Sequence, residues 1–244
     1  MNIKKAEGIE MTTSSIDESQ RKAAKVVGFT YLFTMVTAVL AFYIRGQLIV
    51  YDNATETAQK IVTHELLYRL SIACDLITIA GVVALITALY VILRPINRNL
   101  AVFSAFLRAL GVSIGVTALL NDFNVLSILS GADYLRVFEV DRLHALARLS
   151  IGAHGAGTKV DFIFLGLGST VFCYLWLKSK YIPRTLATLG IFGSFLLAFC
   201  SFASIIFPSL ANISMICMTP LGIFEVTMGF WLLIKGLHPS GAAE

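Results

Sequence analysis

The chain reads as an all-α protein, a polytopic transmembrane helical bundle of about six spans with short amphipathic helices on its outer face. Three observations predict this. Hydrophobic residues make up 57% and charged residues only 14%, where soluble domains carry about 25% charge. Mean hydropathy is +0.80. The apolar residues are gathered into runs near the roughly 20-residue length that crosses a bilayer, and most charges fall in short segments between them.

The spans follow in order. Residues 1–25 form a polar tail, solvated at Ser14, Ser15, Asp17 and Glu18, with no apolar core directly behind the first basic residues as a cleavable signal would have. Span one is 26–44. After Arg45 the segment 46–69 is too polar to cross, but Thr55, Ala58, Ile61, Val62 and Leu66 recur at near-helical spacing and predict a short surface helix. Span two, 70–93, stops at Arg94-Pro95, where proline removes a helical donor and arginine anchors at the headgroups. Span three begins at Leu100 and is expected to end at Leu120, before Asn121 and Asp122.

Residues 131–150 set Asp133, Arg136, Glu139, Asp141, Arg142 and Arg148 against Leu135, Phe138, Leu143, Leu146 and Leu149, the pattern of an amphipathic helix lying along the outer headgroups or docking a partner. Spans four, five and six are 151–177, 186–207 and 213–234, and 236–244 is a second tail. Pro220 is expected to kink span six and free a backbone carbonyl near Ile216.

Basic residues orient the bundle. With the N-terminus inside, Lys4, Lys5, Arg21, Lys22, Lys25, Arg94, Arg98, Lys178, Lys180, Arg184 and Lys235 face the cytoplasm. Arg45, Lys60, Arg69, Arg136, Arg142 and Arg148 then share outer segments with Asp52, Glu56, Glu65, Asp133, Glu139 and Asp141. The positive-inside rule favours both termini cytoplasmic in an inner (plasma) membrane. The net charge of +4 is spread among these topology signals, which argues against nucleic acid. Cys74, Cys173, Cys200 and Cys217 all lie within apolar runs and read as small buried hydrophobes.

Several stretches resemble the DUF4386 family of bacterial membrane proteins. They are Arg21-Lys22-Ala23-Ala24-Lys25, the 52–58 and 65–69 segments, Lys178-Ser179-Lys180-Tyr181-Ile182-Pro183-Arg184, and the closing run from Glu225 to Gly236. The likeness covers nearly the whole chain. It implies bacterial origin and this topology, and brings no activity with it.

Candidate chemistry rests on ionisable residues inside the spans: Asp75, Arg108, Lys159, Asp161 and Glu225. Each costs at least about 2.5 to 3.5 kcal/mol at membrane depth and must face protein or water. Asp75 is expected to reach the interface or to pair with Arg69, about 9 Å along the helix. Arg108, Asp161 and Glu225 fall near mid-span and can meet. They form either a structural ion pair that fixes helix register, or a site that binds or moves a small molecule or ion. The alternative is a non-catalytic sensor or scaffold acting through the outer helices.

An intramembrane metal-dependent enzyme is the third reading. His64, His144 and His154, with Asp141 or Glu65, are the available ligands, but their spacing fits no zinc motif, so no metal and no cofactor are expected. The run Gly152-Ala153-His154-Gly155-Ala156-Gly157 lacks the Lys-Ser/Thr of a phosphate loop. It and Gly111-x-x-x-Gly115 read as close helix packing, with homo-oligomer contact as the alternative for the latter. No Gly-x-Ser-x-Gly elbow is present.

Overall fold

A computed structural model describes residues 16–210 and 213–238, and the first part of the expected polar tail lies outside that range. Helix α1 (Glu18–Leu48) opens with a reciprocal cap: Asp17 accepts from the Gln20 amide and the Gln20 side chain accepts from the Asp17 amide. Asn53 caps α2 (Ala54–Thr63), and Asn97 caps α4 (Arg98–Ile128) after α3 (Glu65–Leu93). A short 3-10 turn at Asp133–Leu135 leads into α5 (Val140–Ser179). Lys180 ends α5 in the left-handed conformation, which turns the buried Tyr181 and Ile182 inward before α6 (Arg184–Ile206). After another 3-10 turn, Pro208–Leu210, come α7 (Ile213–Cys217) and α8 (Thr219–Ile234).

Six stretches are long and apolar enough to cross a membrane, the last formed by α7 and α8 together, and no strand occurs among the described residues. The long helices close into a ring in which α1 packs on α3, α3 on α4, α4 on α5, α5 on α6, α6 on α8, and α8 back on α1. Their outward surface is apolar: Phe192, Phe195, Phe199 and Phe202 on α6 are each more than half exposed. Water does not favour such a stripe, whereas hydrocarbon does.

Two packed plugs fill the ring. Val27, Leu89, Ile92, Trp176, Tyr181 and Met228 belong to the one at the end carrying Arg94, where Gln20 also donates to the Ile92 carbonyl at 3.0 Å. Leu48, Ile61, Tyr68, Val125, Ala147 and Ile151 form the other, at the end carrying Arg45. Between them Thr78, Thr158, Asp161 and Glu225 remain half-buried.

Three expectations about helix bounds and cysteines are corrected. The fourth helix does not stop at Leu120 but continues through Asn121 and Asp122 to Ile128, because Asp122 points into the bundle and is neutralised there. Residues 140–150 are not a separate in-plane helix. They are the first turns of α5, whose 40 residues reach about 60 Å, twice the roughly 30 Å hydrocarbon layer. The interruption expected of span six at Pro220 is present: the helix is interrupted at Met218, and Pro220 takes the first turn of α8, where its missing N–H costs nothing. Cys200 and Cys217 are not lone hydrophobes: a disulfide joins them, tying α6 to α7, while Cys74 and Cys173 are free.

Candidate functional site

Helices α4 and α5 run antiparallel along a seam set by small and polar residues. On α4 these are Ser104, Arg108, Gly111, Gly115, Ala118, Asp122 and Val125, alternating by four and three as on one helical stripe. Ser104 Oγ donates to the Gly168 carbonyl at 2.6 Å, and Arg108 Nη1 donates to Ser169 Oγ at 2.6 Å. Gly111 and Gly115 flank Asp161. A methyl group on Gly111 would lie 2.6 Å from one Asp161 oxygen, and one on Gly115 would lie 3.4 Å from the other. Gly157 meets Ala118, and His154 meets Asp122. The Gly-x-x-x-Gly face is thus occupied within the chain, and it makes room for a carboxylate.

The first charge cluster closes the Arg45 end. Arg45 Nη1 lies 2.5 Å from Asp75, and Nη2 lies 2.8 Å from Asp122 Oδ2. Tyr68 Oη donates to Asp122 Oδ1 at 2.8 Å, and His154 Nδ1 is 3.1 Å from Asp122 Oδ2. One knot therefore ties α1, α3, α4 and α5. Asp75 does not pair with Arg69. Tyr68, Ile72 and Asp75 follow one another around the inward face of α3, whereas Arg69 is exposed and bonds Glu65 one turn away at 2.6 Å.

Asp75, Asp122 and His154 bring one ligand atom each within 4.8 Å of one another, a donor set that suits a divalent cation. The Arg45 guanidinium already lies on both carboxylates and supplies the positive charge a metal would. His144 and His64 do not join: His144 Nδ1 is 3.4 Å from Thr55 Oγ1, and His64 Nδ1 is 3.2 Å from the Lys60 carbonyl oxygen.

The second cluster lies at mid-bundle. Arg108 is 3% exposed, and its hydrocarbon stem packs against Gly168. Its charge acts on both Asp161 and Glu225, yet among the described residues no carboxylate comes within ion-pair distance of 4.0 Å. Ser169 takes one of its five donors, and Nε has no partner. Glu225 projects from α8 beside Tyr31 of α1, whose ring meets Phe224 edge-on at 6.3 Å. Lys159, two residues before Asp161, has no ion pair or side-chain hydrogen bond among the described residues. A cavity of about 320 Å³ opens on the same seam, lined by Ser113, Ile114, Thr117, Ala118, Asn121 and Gly157, and so ends one turn from Asp161.

Sequence reasoning overlooked Arg45, Tyr68, Asp122 and Ser169. The signal for Asp122 and Ser104 was the four-three alternation with Arg108. Arg45 carried none, since its partner Asp122 is 77 residues away.

A closed ring of apolar-faced helices with charges only inside and at its ends defines a multi-pass helical membrane protein. More particularly, the chain belongs to the DUF4386 family, a domain of unknown function, whose family model matches residues 26–236. No curated protein matches the chain, and no solved structure does.

Proposed function

We propose that this protein binds or moves a small molecule or ion through the polar zone between its two plugs, with Arg108, Asp161 and Glu225 as the contact groups. The observation that carries this reading is the unfilled coordination of Arg108. A purely structural arginine at this depth draws a carboxylate onto its guanidinium, as Arg45 does, because an uncompensated buried charge is strongly destabilising. Arg108 instead has Ser169 as its hydrogen-bond partner and no carboxylate within ion-pair distance among the described residues, while Asp161 and Glu225 are held apart from it.

The proposed orientation puts the Arg94 end in the cytoplasm of a bacterial plasma membrane, with both termini inside. At that end Arg21, Lys25, Arg94, Arg98, Lys178, Lys180 and Arg184 stand without acidic partners among the described residues. At the Arg45 end Lys60, Arg69, Arg136 and Arg142 each pair with a nearby carboxylate. The disulfide lies late in α6, toward the Arg45 end, and disulfides persist on the oxidising side of a membrane.

A second reading, a sensor or scaffold, is favoured by one feature. Tyr134 and Val137 before α5 and Val140 at its first residue are largely exposed, an apolar rim suited to headgroups or a partner.

The test is water access at the mid-bundle site. In a full-length chain with Cys74 and Cys173 replaced by serine and the disulfide kept, Asp161→Cys and Glu225→Cys are exposed to a membrane-impermeant thiosulfonate in proteoliposomes. Modification at both positions, together with a proton or cation flux that Glu225→Gln removes while protein yield and melting temperature hold, is the expected result. Two unreactive cysteines in a folded chain would show a dry structural cluster and end this reading.

A further inference from the structure

We infer that the seam between α3 and α4 is a binding site for an anionic phospholipid, with one acyl chain lying in the seam and the phosphate at Arg94 and Arg98. The seam holds an open groove of about 460 Å³, whose walls include Val83 and Tyr90 on α3 and Val102, Ala105, Ala109 and Val112 on α4. It extends from Val83 to Tyr90 along one helix and from Val102 to Ser113 along the other, about 10 and 16 Å at 1.5 Å per residue, the depth of one leaflet.

Three side chains in its wall carry hydroxyls: Thr87, Ser113 and Tyr90. Thr87 donates to the Val83 carbonyl at 2.9 Å and Ser113 to the Ala109 carbonyl at 2.9 Å, so these two make no polar demand on a chain, and Tyr90 stands one turn from Arg94 at the headgroup end. An unbranched alkyl chain is the occupant such a wall accepts.

The mouth of the groove supplies the other half of the ligand. Arg94 follows Tyr90 by one turn and Arg98 precedes Val102 by one turn, so each arginine stands on the helical face that lines the groove. Both are exposed, and neither makes a side-chain hydrogen bond or ion pair among the described residues. The positive end of the α4 dipole lies at the same place. Two unpaired guanidinium groups directly below an apolar slot recognise a phosphodiester with net negative charge, and Tyr90 sits at the level its ring prefers, between tail and head. The site is the same whichever side of the membrane this end faces.

The experiment is native mass spectrometry of the full-length chain, purified in detergent and offered equal amounts of phosphatidylglycerol and phosphatidylcholine. The wild type is expected to retain phosphatidylglycerol with up to roughly thirtyfold preference, the advantage that two arginines at this depth confer. Arg94→Gln with Arg98→Gln removes the preference, and Arg94→Lys with Arg98→Lys keeps part of it. Lys178→Gln with Lys180→Gln, the same charge change elsewhere on that end, leaves it in place, and Ala105→Trp, which fills the groove, lowers retention of both lipids. No preference in the wild type, or equal loss in the Lys178 and Lys180 variant, would overturn the site. So would a shift from dimer to monomer on filling the groove, which would assign the seam to a second copy of the chain.

Discussion

Two arginines point into this bundle, Arg45 half-buried and Arg108 buried, and they are treated in opposite ways. Arg45 reaches two carboxylates within 2.8 Å, and Asp122 is further held by Tyr68 and His154. Arg108 is buried at least as deeply and holds one serine. The first arrangement spends its charge inside the protein and ties four helices together. The second leaves a guanidinium at mid-bundle without an ion pair among the described residues, an arrangement that costs stability; under the proposed function a ligand takes the missing place.

The comparison breaks most readily at Arg45. Arg45→Met leaves Asp75 and Asp122 facing each other without a cation and is expected to cost about 3 to 5 kcal/mol, measured by equilibrium unfolding in mixed micelles. Arg108→Met in the same assay is expected to cost only about 1 kcal/mol, the loss of one hydrogen bond. Equal losses would mean that Arg108 is as fully paired as Arg45, and the distinction between knot and site would fall.

A smaller effect tests the frame on which both clusters hang. Gly166 sits so close to α6 that a Cβ would lie 2.5 Å from the Ser194 carbonyl oxygen and 2.8 Å from Ala198 N. Gly166→Val is expected to cost about 1 to 3 kcal/mol through overpacking. A melting temperature unchanged from wild type would show the α5–α6 seam to be loose. The smallest effect concerns a neutral contact at the same level as the charges: Thr37 and Thr78 share a hydrogen bond of 2.6 Å between α1 and α3. Thr78→Val should lose about 0.6 kcal/mol, as interhelical hydrogen bonds in bilayers do on average. A loss as large as that at Arg45 would place the organising polar contact on the α1–α3 seam instead.

Topology was legible because lipid imposes it: each span must be long and apolar, and each charge must be put somewhere. The helix around Ala58 and Ile61 was legible for the same reason, since its apolar stripe has one surface to cover. The end of α4 was misread because Asp122 looks like a stop when its partner is unseen. Arg45, Asp75 and Asp122 lie on three different helices, and nothing local marks them as neighbours. The disulfide was illegible too, because Cys200 and Cys217 sit in runs whose apolar character explains them without a bond. Mid-span depth did single out Arg108, Asp161 and Glu225, but depth says nothing of whether they touch.

The alternation of partners along α4 and α5 has a mechanical consequence. His154 faces Asp122, Gly157 faces Ala118, Asp161 faces Gly111 and Gly115, and Ser169 faces Arg108. An axial slip of a single turn would pull the imidazole off its carboxylate and drive Asp161 out of the notch that Gly111 and Gly115 leave for it. Such a ratchet has one register, so these two helices are expected to travel as a unit, and an opening of the ring is expected at a seam without such teeth, such as the groove between α3 and α4.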